Sequence, residues 1–181
     1  YGNVTSTSTT TTYTSSGYGV GGIAGCSYYG SSGNVSAIDT CNNYGNVTSS
    51  AYCTGGIVGQ NWYYGHVNKS FNYGTVTGTY YVGGVCGFNR GYTSTTVNYD
   101  CHIQNSGNSG SVTGTYYVGG IVGRNGYSSS CYYTYVESCV NTGRVSGTYY
   151  VGGIAGQNYG QSNTTYRPKI VGCLNAGVVE A

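Results

Sequence analysis

Charged residues, proline and methionine are scarce in this sequence. Among 181 residues there are six Lys and Arg, four Asp and Glu, one Pro and no Met, for a formal net charge of +2. Binding to a phosphate backbone requires clustered cations, so nucleic acid is not an expected partner. No apolar run approaches the roughly 20 residues of a membrane-spanning helix, so membrane insertion is not expected either.

Glycine and tyrosine are abundant instead. The chain contains 34 Gly and 24 Tyr, and 38% of its residues are hydrophobic. Ordinary disorder is disfavoured because apolar residues at near-zero net charge favour collapse. No segment is rich in Ala, Leu, Glu and Lys, and the bias toward Gly, Thr, Ser, Tyr and Val favours strands and turns. The composition therefore predicts an all-β chain.

The cysteines and the first residue indicate an extracellular or cell-surface protein. The chain opens at Tyr1 and lacks Met, so we expect a secreted chain whose signal peptide has been removed, or an excised segment. Eight Cys without a C-x-x-C pair suit disulfides in an oxidising compartment better than a zinc ribbon. Sequons compatible with glycosylation lie at Asn3, Asn34, Asn46, Asn68 and Asn163.

Two sequence elements recur along the chain. A Gly-Gly-Ile/Val block begins at Gly21, Gly55, Gly83, Gly119 and Gly152, at steps of 34, 28, 36 and 33 residues. An Asn-x-Gly-x-Val element precedes the last four blocks, and related copies open and close the chain. We therefore divide this single domain into repeats at about 1–40, 41–69, 70–105, 106–138 and 139–172, with a partial closing repeat at 173–181.

The best-formed copy of the repeat reads Cys139-Val-Asn-Thr-Gly-Arg-Val-Ser-Gly-Thr-Tyr-Tyr-Val-Gly-Gly-Ile-Ala-Gly-Gln-Asn158. It resembles the GLUG repeat, a motif of microbial secreted and cell-surface proteins. The resemblance covers nearly the whole chain, with departures in the Thr/Ser insert of the first repeat and at 90–105 and 126–138. It implies a β-solenoid segment of the kind associated with adhesins and surface enzymes, and it says more about fold and location than about activity.

Strand geometry leads to the same fold. Along Val76–Val82 alternate residues share one face, and the Gly-Gly pair that follows allows a corner. One copy cannot bury its apolar face, whereas copies stacked about 4.8 Å apart make a continuous core. We predict a β-solenoid of about five rungs, one for each repeat of about 33 residues, with asparagine ladders at its corners. The predicted core is Ile23, Ile57, Val85, Ile121 and Ile154 beside Val4, Val47, Val76, Val112, Val145 and Val178. The predicted ladders are Asn43, Asn72, Asn108, Asn141 and Asn175, and Asn61, Asn89, Asn125 and Asn158.

Residues able to carry catalytic chemistry are few. Gly17–Gly22 satisfies G-x-G-x-x-G but falls in a repeat corner, so no dinucleotide cofactor is predicted. Asp100-Cys101-His102 offers metal ligands, but without a second cluster we favour a solvated insert and no metal site. The acids occupy unrelated repeat positions, which argues against paired catalytic carboxylates and against an enzyme. These acids are Asp39, Asp100, Glu137 and Glu180.

The cysteines are candidates for cross-links. Cys139 and Cys173 each lie four residues before a repeat glycine in consecutive repeats, so their Cα atoms should stack within disulfide range. A ladder of buried free thiols is the alternative for this pair. Four others, at positions 26, 53, 101 and 131, interrupt the repeat pattern and suit lateral or intermolecular bridges. All eight candidates are Cys26, Cys41, Cys53, Cys86, Cys101, Cys131, Cys139 and Cys173.

Aligned tyrosine pairs suggest a surface that binds other molecules. The pairs are Tyr80 and Tyr81, Tyr116 and Tyr117, and Tyr149 and Tyr150. They suit cross-strand stacking that stiffens the fold, and also a contact surface for neighbouring subunits or sugars. The adjacent T-x-T array, at positions 77–79, 113–115 and 146–148, resembles the ice-binding face of some solenoid antifreeze proteins, which gives a lower-ranked function.

The two ends of the chain carry copies of one strand and no recognisable cap. An uncapped solenoid exposes strand edges that recruit further strands, so we predict a structural subunit that polymerises head to tail with itself into a filament, sheath or surface layer. Neighbouring repeats of a longer protein are the competing explanation for the missing caps. A surface module that recognises glycan or host surface is the alternative function. The terminal stacking strands are Tyr1, Gly2, Asn3, Val4 and Thr5, and Asn175, Ala176, Gly177, Val178 and Val179.

Overall fold

The computed structural model describes residues 2–8, 18–28, 35–93, 98–127, 133–160 and 167–181. The predictions for Tyr1, Gly17, Asn34, Cys131 and Asn163 lie outside these ranges. Within them the chain forms strands and turns without a helix, which confirms the all-β prediction. Consequently this part of the chain offers no helix that could span a bilayer.

The strands are short, and most repeats contribute one to each of five sheets. The chain up to residue 72 forms β1 (Val4–Ser6), β2 (Gly19–Gly21), β3 (Ala24–Tyr28), β4 (Ser36–Asp39), β5 (Asn42–Asn43), β6 (Val47–Ser49), β7 (Cys53–Gly55), β8 (Val58–Trp62), β9 (Gly65–Asn68) and β10 (Phe71–Asn72). The next stretch forms β11 (Val76–Thr77), β12 (Tyr81–Gly83), β13 (Cys86–Arg90), β14 (Tyr92–Thr93), β15 (Asn98–Tyr99), β16 (Cys101–Gln104) and β17 (Gly107–Asn108). The remainder forms β18 (Val112–Thr113), β19 (Tyr116–Gly119), β20 (Val122–Asn125), β21 (Thr134–Glu137), β22 (Val140–Asn141), β23 (Val145–Ser146), β24 (Tyr149–Gly152), β25 (Ala155–Asn158), β26 (Lys169–Val171), β27 (Leu174–Asn175) and β28 (Val179–Glu180).

Strands from consecutive repeats lie side by side and run parallel. Sheet 1 has the order β1-β6-β11-β18-β23-β28, sheet 2 β2-β7-β12-β19-β24 and sheet 3 β3-β8-β13-β20-β25. Sheet 4 has the order β4-β9-β16-β21-β26 and sheet 5 β5-β10-β17-β22-β27. Only β14 and β15 pair antiparallel among the described strands, as an excursion before β16. Stacked parallel sheets of this kind are consistent with a β-solenoid.

Glycine is required where the chain turns between sheets. A Cβ atom added to Gly84 would lie 2.2 Å from the carbonyl oxygen of Gly120 in the next repeat. A Cβ atom on Gly78 would lie 2.8 Å from a methyl of Val82. The chain turns at 78–80, so Val76 and Val82 belong to separate strands rather than to one, which corrects the prediction of a single alternating strand. Both valines still reach one buried cluster.

The core follows the predicted columns closely. Ile57, Val85 and Ile121 are fully buried in one cluster. Val76, Val112 and Val145 are fully buried in a second cluster and pair in register, and Val47 continues their column. Each column is therefore one side chain per repeat, stacked along the molecule.

Val178 is a correction to the predicted core. Val145 pairs with Val179, and the Val178 side chain is 61% exposed. The inward valine follows the repeat glycine by two residues, at Val145 after Gly143 and at Val179 after Gly177. Because strand side chains alternate, a one-residue slip moves the prediction to the opposite face.

Both predicted asparagine ladders are confirmed. Amide to amide hydrogen bonds of 2.7–2.8 Å run through Asn43, Asn72, Asn108, Asn141 and Asn175. Bonds of 2.9 Å run through Asn61, Asn89, Asn125 and Asn158. The amides in the middle of each ladder are buried and satisfy one another across the repeats.

Candidate functional site

One column of tyrosines runs along sheet 2 and its preceding turn. Tyr52 and Tyr80 stack with ring centroids 4.5 Å apart, and Tyr116 and Tyr149 stack at 4.8 Å with nearly parallel planes. Tyr80 and Tyr116 connect the two pairs at 5.2 Å. Tyr18 precedes Gly19, which pairs with Cys53, so Tyr18 occupies the first position of the same column. The predicted tyrosine ladder therefore extends over the whole described length of this wall.

The second member of each pair forms a second column beside the first. Tyr117 and Tyr150 stack at 4.7 Å, and Tyr81 lies 5.2 Å from Tyr117. Tyr81 is almost fully buried, whereas Tyr150 is 60% exposed. Both Tyr117 and Tyr150 have positive φ, so both members of these pairs reach the outer wall instead of alternating across it.

Arginine and aromatic rings hold the buried end of this wall. Arg124 donates a 2.6 Å hydrogen bond from Nη1 to the Tyr81 hydroxyl, and its guanidinium carbon lies 4.7 Å from the Tyr159 ring centroid. Arg90 lies 4.4 Å from the ring centroids of both Trp62 and Tyr127. In these contacts aromatic rings, rather than carboxylates, hold the two arginine side chains in the wall. This cluster was not predicted from the sequence: Trp62 and Arg90 are partners in sheet 3, but the type of residue at this position changes from repeat to repeat.

The cysteine positions fall into separate environments. The seven described cysteines are thiols, and all eight remain predicted cross-link candidates. Cys139 and Cys173 precede the paired residues Val140 and Leu174, so they occupy adjacent repeats, and their thiols are close enough to hydrogen-bond. That hydrogen bond lowers the pKa of Cys173. Cys53 and Cys86 are fully enclosed, and burial raises the pKa of both.

Serines separate Cys41 from the other two cysteines of its column. The Cys41 amide donates a 3.1 Å hydrogen bond to Ser70 Oγ, and the Ser70 amide does the same to Ser106 Oγ. Cys139 and Cys173 continue this column beyond Ser106. Within this column, only Cys139 and Cys173 are neighbours that could form a disulfide. The neighbour of Cys41 is Ser70, so Cys41 has no adjacent thiol in the column.

The acids lie apart, but two of them share a repeat position. Asp39 and Glu137 belong to one column of sheet 4, with Asn68 and Gln104 between them. This corrects the prediction that all four acids sit at unrelated positions. Two intervening residues keep the carboxylates from acting as a pair. Glu180 pairs with Arg144 at the surface.

Asp100 and His102 lie beside His66, a neighbour that is not predicted from the sequence. His66 and His102 are neighbours in sheet 4, with ring centroids 4.7 Å apart. His102 Nε2 lies 2.9 Å from Asp100 Oδ2. One signal was available: both histidines lie six residues before a ladder asparagine, Asn72 or Asn108. Counted from the Gly-Gly pair, the two histidines do not align, because the third repeat has extra residues between Gly83 and His102.

Sequons and threonines lie mainly on the outer faces. Asn3 and Asn46 are exposed, and Asn68 is half-buried. Thr77, Thr113 and Ser146 pair in register, and the Thr113 and Ser146 hydroxyls are 3.2 Å apart. Glycosylation and ice binding remain predictions.

Searches with this chain found no matching protein-family model, no matching curated protein and no matching solved structure.

Proposed function

We propose that this chain is a β-solenoid of about five rungs built from GLUG-like repeats, and that it is a structural subunit of an extracellular filament, sheath or surface layer. Subunits stack head to tail through strand edges, with tyrosine contacts and disulfides reinforcing the junction. The proposal assigns the chain no catalytic role. The observation that carries it is the pair of end faces, where, among the described residues, the edge strands have no further partner and apolar side chains are exposed.

Apolar side chains lie open at both end faces. At the face formed by β1 to β5, Ile23 is 44% exposed although its column partner Ile57 is fully buried. At the face formed by β24 to β28, Val179 is 40% exposed although its column partner Val145 is fully buried. Covering such surface with a second copy is favourable by about 25 cal/mol for each Å² of apolar area.

The edge strands also present unpaired backbone groups. The Val178 and Glu180 carbonyls accept hydrogen bonds from the amides of Val145 and Gly147 in the adjacent repeat. Because the pleat alternates, the amide and carbonyl of Val179 point away from the molecule. A neighbouring parallel strand satisfies such groups, which is how open sheet edges recruit further chains.

Sheet 1 restricts how two copies can stack. It has six strands, whereas sheets 2 to 5 have five. When β2 of one copy pairs with β24 of another, β1 of the first copy falls on the position that β28 of the second copy already occupies. Continuous stacking of all five sheets therefore requires a strand exchange. We propose that β28 leaves, since it has two residues and β1 has three.

The tyrosine column provides a side-chain contact across the same junction. Tyr18 is 47% exposed at one end of the column, and Tyr149 is 50% exposed at the other. Stacked copies bring Tyr149 of one subunit next to Tyr18 of the following one. Offset aromatic pairs of this kind are worth about 0.5–1.5 kcal/mol beyond their buried area.

Electron microscopy of the purified chain tests the proposal. Fibres or tubes that withstand boiling detergent until a reductant is added are expected. Replacing Ile23 with Lys introduces a charge at the end face and should abolish assembly. Val140→Lys is the matched control, because Val140 is similarly exposed at 40% but lies on the side of sheet 5. Persistent monomers of the unmodified chain, or equal loss of assembly in both variants, would contradict the proposal.

A glycan-binding surface is the second candidate, and one groove favours it. Gly107 and Ser109 leave a depression of about 170 Å³ between Phe71 and Tyr73 on one side and Val140 and Thr142 on the other. The exposed lining of this groove is mainly apolar, so it offers a stacking surface to the apolar face of a sugar ring. A glycan array with the unmodified chain and a Ser109→Phe variant, which fills the groove, tests this function. Binding that the variant retains would exclude the groove as the site.

A further inference from the structure

His66, Asp100 and His102 form a compact group on the outer face of sheet 4. His66 is in β9 and His102 in β16, and the two residues are direct partners in the parallel ladder. Asp100 precedes β16 by one residue, so its side chain and that of His102 lie on the same face. Their potential ligand atoms all lie within 4.8 Å of one another.

The His66 ring supports a role beyond packing. Its Nε2 atom is inaccessible to solvent and has no hydrogen-bond partner in the described part of the chain. Burial lowers the pKa of His66, and the nearby His102 adds to that effect. A buried ring nitrogen without a partner loses the hydrogen bonds it would make in water. A ligand that uses its lone pair offsets that loss.

Asp100 supplies the negative charge that a cation requires. The hydrogen bond from His102 Nε2 lowers the pKa of Asp100, so this group is a carboxylate at neutral pH. The side chains of His102 and Asp100 are 20% and 36% exposed, which leaves an approach from solvent. Tyr135 stacks on the other side of His102 with ring centroids 4.7 Å apart and fixes the orientation of the imidazole.

We propose that His66, Asp100 and His102 bind a divalent transition-metal ion of the Zn²⁺ type, with water completing the coordination shell. Two ligands at about 2.1 Å from one Zn²⁺ ion in tetrahedral geometry are about 3.4 Å apart. The present separations, 2.9 Å between His102 Nε2 and Asp100 Oδ2 and at most 4.8 Å overall, require only small side-chain adjustments. The ion takes the place of the proton between His102 Nε2 and Asp100 Oδ2, and the neutral imidazole then carries its proton on Nδ1 instead.

The ligand set selects the class of metal. Two imidazoles with one carboxylate favour Zn²⁺, Co²⁺, Ni²⁺ or Cu²⁺ over Ca²⁺ and Mg²⁺, which take mainly oxygen ligands. His66 comes from the second repeat and His102 from the third, so the bound ion connects consecutive repeats. Because an ion that binds only the folded chain stabilises it by mass action, the melting temperature should rise with the concentration of added Zn²⁺.

Zinc titration of the full chain tests this site. The protein is stripped with a chelator, kept reduced, and titrated with Zn²⁺ by calorimetry, while NMR follows the ring nitrogens of its two histidines. One ion per chain and coordination shifts on both rings are expected. His66→Gln and Asp100→Asn should each weaken binding at least about tenfold. Asp100→Asn is nearly isosteric at a partly exposed position, so it keeps the test valid if the His66 variant misfolds.

Two controls separate this site from other metal sites. Tyr135→Phe keeps the aromatic ring beside His102 and leaves the three proposed ligands unchanged. This variant should therefore bind Zn²⁺ with the affinity of the unmodified chain. Co²⁺ reports the ligand type, because thiolate ligands give an intense charge-transfer absorption that imidazole and carboxylate lack. Absence of Zn²⁺ binding, affinity unchanged in both site variants, or a thiolate spectrum would overturn the assignment and leave Asp100 and His102 as a surface ion pair.

Discussion

At the scale of single residues, the molecule depends on side chains that meet their own equivalents in the next repeat. Asn108 receives a hydrogen bond from Asn72 and donates to Asn141 and to the Gly110 carbonyl. The same stacking places Cys139 next to Cys173 and His66 next to His102. A substitution at one of these positions therefore removes contacts to the neighbouring repeats as well as contacts within its own repeat.

Asn108→Ala should destabilise the fold. The buried amide makes three hydrogen bonds, and its loss leaves buried partners on both neighbouring repeats unsatisfied. We expect the free energy of unfolding in denaturant to fall by about 2–4 kcal/mol. Asn46→Ala, at an exposed asparagine, is the control and should cost less than about 1 kcal/mol. Equal effects at the two positions would show that the ladder contributes no special stability.

Among the described cysteines, Cys173 should be the most reactive thiol of the reduced chain. The hydrogen bond from Cys139 lowers its pKa, whereas burial raises the pKa of Cys26, Cys53 and Cys86. Because the thiolate is the nucleophile, alkylation of Cys173 should be fast at neutral pH and should slow as the pH falls. Mass spectrometry of the modified sites gives the order of labelling. Cys139→Ala should slow labelling of Cys173, and an unchanged rate would contradict this account.

At the scale of elements, the sequence allowed prediction of what repeats regularly. The asparagine ladders and the buried columns around Ile57 and Val76 follow from recurrence, because equivalent residues of stacked copies must meet. Irregular positions were harder to predict. Val178 was assigned one residue away from the inward position, which Val179 takes. His66 was not connected with His102, since the excursion through β14 and β15 shifts the count within the third repeat.

The close approach of corners should make Gly84 intolerant of any side chain. Its Cβ atom would lie 2.2 Å from the Gly120 carbonyl oxygen, and backbone atoms cannot move aside cheaply. Gly84→Ala should lower the free energy of unfolding by roughly 3 kcal/mol. Gly2→Ala serves as the control, because no atom lies within 4 Å of its added Cβ. Equal melting temperatures for the two variants would contradict the proposal that the corner at Gly84 has no room for a side chain.

At the scale of the whole molecule, the described chain is a stack whose two end faces match each other. Five sheets end at both faces in parallel strands without a further partner. The scarcity of charge, ten charged residues among 181, leaves little repulsion between copies that meet at those faces. In the proposed assembly the sixth strand of sheet 1 obstructs continuous stacking, and the proposed strand exchange would remove that obstruction.

Shortening the chain by its last strand should therefore promote assembly. A variant that ends at Ala176 lacks β28 and leaves its position in sheet 1 open for β1 of the next copy. Light scattering should show that assemblies of this variant grow faster than those of the full chain, because β28 does not have to leave sheet 1 first. Slower growth, or none, would mean that β28 forms part of the junction.

The axial repeat of the assembled protein tests the stacking account most directly. Cryo-electron microscopy or fibre diffraction should give a strand spacing of about 4.8 Å and a subunit repeat of about 24 Å, which is five strand layers. A repeat of about 29 Å, six layers, would mean that both terminal strands stay in place and that the stack is discontinuous. A chain that remains monomeric at high concentration would contradict the structural function itself.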